Sequence, residues 1–354
     1  MRVVTVGAGP CGLYASRLLS GLGHEVTILE EHPSVGRPVQ CAGLVGTPVV
    51  ERFGREAVIN TIDSALIRLG TRSLELHRPG VAHVLDRTRF DASFASGLDI
   101  ATSSHVTGVR VAGDGTYRVD AAGTVYEADL VIGADGPRSV VRKSMGFSAE
   151  VRQYTACQER IVQDVPDEHH VLVEVCRPFF SWAIPEGGGI LRVGTFGKQR
   201  DLDAFKEHAN LSGGVIERTV ACVPVGKAQL ARGGAVLVGD AAAQTKPLSG
   251  GGIYYGMCAA EFLASAVEAE DLSLYPAAWQ RAFGREVSFG LAARRIYERM
   301  SPHDLSRVFD ILCENKERIE DEADFDRHSS LARLFIGNPR LFAVLGRYLF
   351  SVFS

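Results

Sequence analysis

The sequence predicts an α/β protein in which a parallel nucleotide-binding sheet is joined to an antiparallel sheet domain and closed by a helical C-terminal region. Three observations predict it. A glycine-rich turn links the first apolar strand to the first helix, two later apolar strands end in Ala134-Asp135-Gly136 and Gly239-Asp240, and residues 150 to 200 carry strand-like runs. The expected division is 1–63, 84–149 and 221–275 for the nucleotide domain and 64–83 with 150–220 for the second sheet. Residues 276–354 are left to helices.

The N-terminal stretch carries the strongest signal. Arg2 to Gly7 reads as a short apolar strand, Gly7-Ala8-Gly9-Pro10-Cys11-Gly12 follows at once, and Leu13 to Gly21 reads as helix. In such a turn the first glycine permits the sharp bend and the second lets the backbone approach a pyrophosphate. The third lets helix and strand pack closely, with the anion at the positive helix end. Val26 to Leu29 form the next strand, and Glu30 ends it, placed to accept hydrogen bonds from a ribose diol, with Glu31 beside it. An acid there suits the unphosphorylated ribose of FAD or NAD better than that of NADP. Cys11 admits two readings, a reactive thiol at a helix N-terminus and a small buried residue packed against the sheet.

Composition sets bounds. Apolar and charged fractions of 46% and 23% are those of an ordinary globular protein, and a net charge of -4 without charge runs gives no argument for nucleic acid. The seven cysteines form no C-x-x-C pair, which argues against a zinc site or a disulfide framework. No apolar run reaches the length of a membrane span. With the first strand expected from residue 2, no leader is expected, and the protein is expected in the cytoplasm.

The loop from His32 to Gly43 is rich in glycine and proline and should run along the bound cofactor, with Arg37 a candidate phosphate partner. Ala65 to Leu69, Ser73 to His77 and Val81 to Leu85 read as short strands separated by Gly70 and Pro79-Gly80. Asp86 and Asp91 lie near the start of a helix that carries Arg87, and His105 to Ile132 reads as strands with turns at Gly113-Asp114-Gly115 and Ala122-Gly123. Leu130 to Gly133 then leads into Asp135 and Gly136. That puts a carboxylate at the ligand-binding edge of a parallel sheet, although alone it could cap the helix near Ser139.

The strand with Phe179, Phe180, Trp182, Ile184 and Pro185 is expected to hold the substrate, with plain core as the alternative for each side chain. A third strand ends at Asp240. Lys246-Pro247-Leu248-Ser249-Gly250-Gly251-Gly252-Ile253 then opens a helix from Tyr254 to Glu268, whose exposed N–H groups suit negative charge on a reduced flavin ring. Near the C-terminus, Asn338-Pro339 starts a helix with Leu341, Val344, Leu345, Tyr348, Leu349 and Val352 on one face. Arg340 and Arg347 on that helix could meet anionic headgroups, in peripheral contact with a membrane; the alternative is a helix that closes the domain.

The three acid and glycine motifs, taken in order, resemble the FAD-binding domain of flavoproteins of the p-hydroxybenzoate hydroxylase fold. Within that superfamily, Pro38-Val39-Gln40-Cys41-Ala42-Gly43, the Gly239 to Gly256 segment and Phe180-x-Trp182-x-Ile184-Pro185 are similar to the geranylgeranyl reductases, including those of archaeal digeranylgeranylglycerophospholipids. Phe180 and Ile184 stand where the family has tyrosine and phenylalanine, which preserves an apolar slot without the phenol.

The resemblance implies FAD as cofactor. Gly7, Ala8, Gly9, Pro10, Gly12, Glu30 and Glu31 would hold its ADP half. Arg37, Arg87, Asp135, Gly136 and Asp240 would hold the pyrophosphate and ribityl part, with Pro247, Gly250, Gly251, Gly252 and Ile253 against the ring. Phe180, Trp182, Ile184, Pro185 and Tyr254 would line the substrate. Cys41 would sit at the active-site end of the ring, either as proton donor or as pocket wall. The implied reaction is saturation of C=C bonds in a prenyl chain. Electrons would come from ferredoxin, a deazaflavin coenzyme or NAD(P)H, and the alternative is an FAD-dependent hydroxylase of an aromatic or quinone-like substrate.

Overall fold

The computed structural model describes residues 1–331 and 338–349. Along the first third of the chain come β1 (Arg2–Val6), α1 (Pro10–Gly21), β2 (Glu25–Leu29), β3 (Leu44–Gly46), α2 (Thr47–Phe53), β4 (Val58–Leu69), β5 (Arg72–Leu85) and α3 (Arg87–Ala92). There follow β6 (Asp99–Ala101), β7 (Val106–Val111), β8 (Tyr117–Ala121), β9 (Thr124–Ala128), β10 (Leu130–Gly133), α4 (Val140–Ser144), β11 (Ala149–Val162), β12 (His170–Val175), β13 (Phe180–Gly187) and β14 (Ile190–Phe196). The chain continues through α5 (Gln199–His208), β15 (Gly214–Ala228), β16 (Ala231–Arg232), β17 (Ala235–Leu237), α6 (Ile253–Glu268), α7 (Leu274–Arg299), α8 (Pro302–Glu314), α9 (Lys316–Glu322) and α10 (Pro339–Leu349).

The nucleotide sheet runs in the order β16-β17-β10-β1-β2-β6, parallel except where β16 pairs with β17. Its inner strands read as unbroken apolar runs because helices cover such sheets on both faces. Strand β10, Leu130 to Gly133, is buried throughout. Helices α1 and α6 share the core of this sheet, where Leu13, Leu19, Met257 and Leu263 are fully enclosed. Of the three strands expected from His105 to Ile132, the first two and the start of the third form a separate antiparallel sheet, β7-β8-β9, whereas the end of the third, Leu130 to Gly133, breaks off as β10 of the parallel sheet.

The second sheet has eight strands in the order β15-β11-β14-β13-β12-β4-β5-β3. Alternation along β13 sends Phe180, Trp182 and Ile184 to one face and Ala183 to the other, where Leu202 and Phe205 of α5 cover it. Three expectations need correction. Pro79-Gly80 does not divide two strands: β5 runs through them as an irregularity opposite Asp63, whose Oδ1 accepts the Gly80 N–H at 2.7 Å. An unpaired proline is tolerated at such a bulge. Residues 44–46 and 58–63 belong to the second sheet rather than the first, and the boundary expected at 221 falls inside β15. The second sheet meets the nucleotide domain where Phe196 and Val223 lie against Gly250.

The C-terminal region is helical as expected. In helix α10, Leu341 and Val344 pack with Ile296, Met300 and Val308, and Arg340 pairs with Glu314 at 2.6 Å. Val352 lies outside the described residues, as do the side chains of Arg347 and Leu349. No helix among the described residues is long and apolar enough to cross a membrane.

Candidate active site

At the head of β1, Gly7 takes a φ of 99°, and a Cβ there would strike the Ala134 carbonyl on β10's exit. A Cβ on Gly12 would strike the Gly7 carbonyl, whereas around Gly9 nothing lies within 4 Å. Two glycines are therefore demanded by packing and the middle one faces open space where a phosphate can approach. Helix α1 begins at Pro10 without a side-chain cap, so its first N–H groups remain available to an anion. Glu30 is buried: Oε2 accepts the Ala8 N–H at 2.8 Å, and Oε1 accepts the His32 N–H at 2.8 Å while lying 2.6 Å from His32 Nδ1. Glu31 instead points to His105, at 3.0 Å, and Arg37 is exposed with no protein hydrogen bond among the described residues. The structure brings neither into the cradle.

Asp135 does cap α4, as its position alone would allow: Oδ2 accepts from Val140 N at 2.6 Å and Val141 N at 3.1 Å. Its other oxygen is buried without a partner, and burial raises its pKa. A buried acceptor left open at the carboxyl edge of a parallel sheet is what a ligand hydroxyl or amide would satisfy. Asp240 follows β17 in a single 3-10 turn; its backbone carbonyl accepts the Ala243 N–H at 3.0 Å, whereas its carboxylate accepts no hydrogen bond among the described residues. Burial pushes its pKa up to about 6, with Arg87 opposing. Beyond it, Gly250 to Gly252 open α6, again without a side-chain cap. A Cβ at Gly250 would press on Phe196 and Val223 of the second sheet. The open turn at Gly9, the orphaned oxygen of Asp135, the free carboxylate of Asp240 and two uncapped helix starts form a cradle that fits a dinucleotide with a flat ring.

The Cys41 loop is fastened from two sides. Arg192, buried on β14, donates to the Ala42 carbonyl at 2.6 Å and the Leu85 carbonyl at 3.1 Å, and it pairs with Glu186. Glu186 in turn takes a two-pronged contact from Arg160 at 2.9 and 2.8 Å. Gln158 links the loop to the aromatic strand, accepting from Trp182 Nε1 at 3.2 Å and donating to the Cys41 carbonyl at 3.4 Å. Cys41 Sγ accepts the Gly43 N–H at 3.3 Å. Arg87 lies against this thiol, held by Asp91 at 3.0 and 2.8 Å. Burial opposes its charge, but Asp91 and Cys41 outweigh burial and raise its pKa above the ordinary arginine value. Cys11 is a different kind of thiol. Burial, then the Asp240 charge, drive its pKa far up, and its sulfur fills the space that Cβ atoms on Gly239 and Gly256 would need. It is the packed residue of the two readings.

Family models match the chain in two places, an NAD(P)-binding Rossmann-like domain over residues 5–43 and an FAD binding domain over residues 81–191. Digeranylgeranylglycerophospholipid reductase 2 of Methanopyrus kandleri is 30% identical over 365 residues, covering 88% of this chain and 90% of that protein. The chain belongs to the geranylgeranyl reductase family. It is an FAD-dependent oxidoreductase, as the matched domains and the cradle agree. Digeranylgeranylglycerophospholipid reductase 1 of Methanococcoides burtonii is 27% identical over 96% of this chain and 93% of its own length. Among solved structures, a geranylgeranyl bacteriochlorophyll reductase-like protein of Thermoplasma acidophilum superposes with a TM-score of 0.84, at 22% identity over 98% of both chains. The p-nitrophenol 4-monooxygenase of Pseudomonas putida reaches 0.73 at 18% identity, over 93% of this chain and 97% of its own. These structures share the fold.

Of the expected substrate residues in this reductase-family chain, Phe180, Trp182 and Ile184 meet in one apolar cluster with Phe179, Phe196, Ala42 and Leu44. Pro185 is buried, and its carbonyl accepts from Asn60 at 3.0 Å. Tyr254 is elsewhere, packed in the nucleotide core beside Phe283. Gln158, Glu186 and Arg192 carried no motif, and only their alternation with core residues on β11, β13 and β14 could have pointed inward.

Proposed function

We propose that the protein saturates C=C bonds of a geranylgeranyl or longer prenyl chain on a lipid, diphosphate or quinone. The reading is supported by one fastened loop that carries the Cys41 thiol: Arg192 and Gln158 hold its carbonyls, Arg87 lies on one side, and Ala42 packs on the aromatic cluster on the other. Bound FAD, once reduced, supplies a hydride. The chain's own residues do the rest. Phe180, Trp182, Phe196 and Ile184 hold the alkene by contact alone, since Phe180 carries no hydroxyl and the Tyr154 hydroxyl in the same cluster is spent on Glu298. Cys41 breaks its S–H bond and gives the proton to the second alkene carbon, leaving a thiolate beside the Arg87 guanidinium, which Asp91 fixes. Solvent then restores the thiol. Gly7, Ala8, Gly9, Pro10, Gly12 and Glu30 bind the ADP half. Asp135, Gly136 and Asp240 bind the ribityl and pyrophosphate part. Pro247 and Gly250 to Ile253 support the ring. Electrons come from an external donor, and ferredoxin, a deazaflavin coenzyme and NAD(P)H are the classes to assay.

The test is anaerobic. The flavin is reduced with dithionite, geranylgeranyl lipids are added, and mass spectrometry looks for products heavier by two hydrogens per bond. Gain that vanishes in Cys41→Ala supports both the reaction and the proton role, and gain that survives leaves Cys41 as pocket wall. No gain with any prenyl lipid, together with oxygen uptake in step with an aromatic substrate in a separate aerobic assay, would make the protein a hydroxylase.

A further inference from the structure

The segment after α9 returns to the active site. Asp326 is buried, and its Oδ1 pairs with Lys246 Nζ at 3.0 Å, the lysine being buried in the loop that precedes Gly250. The same ammonium donates to the Phe325 carbonyl at 3.0 Å and lies 4.4 Å from the Phe325 ring centre. Tyr255 of α6 donates to the Asp326 carbonyl at 3.0 Å, and the Ser329 N–H is shared between the two oxygens of Glu286 at 3.1 and 3.2 Å. The Phe325 ring is only half buried and packs on the apolar cluster that contains Trp182 and Phe196. Gly46, five residues after Cys41, has no Cβ because Phe325 and Asp326 occupy that space. One ring therefore sits where the Cys41 loop, the aromatic strand and the flavin loop converge.

From this convergence we infer that Phe325 is the end wall of the prenyl slot and determines which chain lengths it accepts, with Lys246 and Asp326 as the latch that holds it. The inference rests on the prenyl-reductase reading. The latch is suited to release. A buried ion pair gives back in attraction roughly what its desolvation costs, and Asp326 Oδ2 is buried with no partner, so the closed arrangement leaves part of its polar demand unmet.

The experiment compares anaerobic reduction rates, and equilibrium binding, of prenyl lipids of two, three, four and more isoprene units in wild type, Phe325→Ala and Phe325→Trp, each first shown to carry its full complement of flavin. Shortening the wall should shift the preferred length upward and change the rate ratio between neighbouring lengths by at least about tenfold, since hydrophobic pockets discriminate by such factors per small group. Phe325→Trp should shift it downward. Equal losses at every length, or both variants shifting the same way, would overturn the inference, because a purely structural ring would act on all substrates alike. Should Phe325→Ala fail to retain flavin, Phe325→Leu replaces it with the same direction expected. A wild type that reduces and binds no prenyl lipid would overturn the function proposed above and this inference with it, whereas an active wild type with length-blind variants overturns the inference alone.

Discussion

Replacing Arg192 with methionine tests whether the buried ion network sets the Cys41 loop or only joins the sheets. The change keeps the aliphatic stem and removes the guanidinium, whose bonds run to Ala42 and Leu85 and whose charge faces Glu186. Two carbonyls lose a donor, that of Leu85 buried and that of Ala42 partly so, at about 1–3 kcal/mol for a buried one. Glu186 is not left bare, because Arg160 still grips both of its oxygens, and that keeps the loss at the low end of the about 3–5 kcal/mol seen when a buried pair loses one member. A net cost of about 3 kcal/mol corresponds to roughly 4 °C in the melting midpoint, at about 1.3 °C per kcal/mol for a chain of this size. Freed from Arg192, the loop should let Cys41 drift, and a misplacement of about 1 Å costs about a hundredfold in rate. Thermal denaturation and anaerobic single-turnover reduction, both on flavin-loaded protein, give the two readings. A lowered midpoint with an unchanged rate would refute the coupling, and an unchanged midpoint would refute the energetic argument itself.

Three further outcomes are expected. Gly12→Ala should abolish flavin retention, read from visible absorbance after gel filtration, because the new Cβ meets the Gly7 carbonyl in a turn that cannot yield. Asp240 has its pKa raised from 3.8 to about 6, chiefly by burial, so its contribution to folding is complete below the ordinary value and is lost as pH rises through about 6; in flavin-stripped protein, Asp240→Asn should leave the melting point unchanged near pH 3.5 and raise it at pH 8. His328 is lowered to about 4 by burial and then by Lys246, so its neutral form supports the fold above about 6.5 and that support is lost as pH falls towards 4. Hydrogen exchange in residues 324–330, corrected for intrinsic pH dependence, should accelerate from pH 7 to pH 4.5, and His328→Leu should remove the difference.

Local chemistry made much of this protein readable. The glycine turn, its helix and the acid after β2 are demands of a few neighbouring atoms on one another, so they are written within thirty residues, and the parallel strands announce themselves because burial on both faces forces an unbroken apolar run. The alternation of Phe180, Trp182 and Ile184 likewise marked one face of a strand before any partner was known. What the chain order concealed was assembly. The sequence places Glu31 and Arg37 next to the cofactor turn, yet their side chains turn to His105 and to solvent. It also makes Pro79-Gly80 look like a break, which a bulge opposite Asp63 absorbs. Gln158, Arg192, Lys246 and Asp326 lie far apart in the chain and without a shared motif, and their roles come from partners 24 to 150 residues away. Backbone and neighbour sterics act over a few residues and so leave a local record, whereas a buried charge is satisfied by whichever distant group the packing of two sheets brings within 3 Å, and only the folded chain decides which that is.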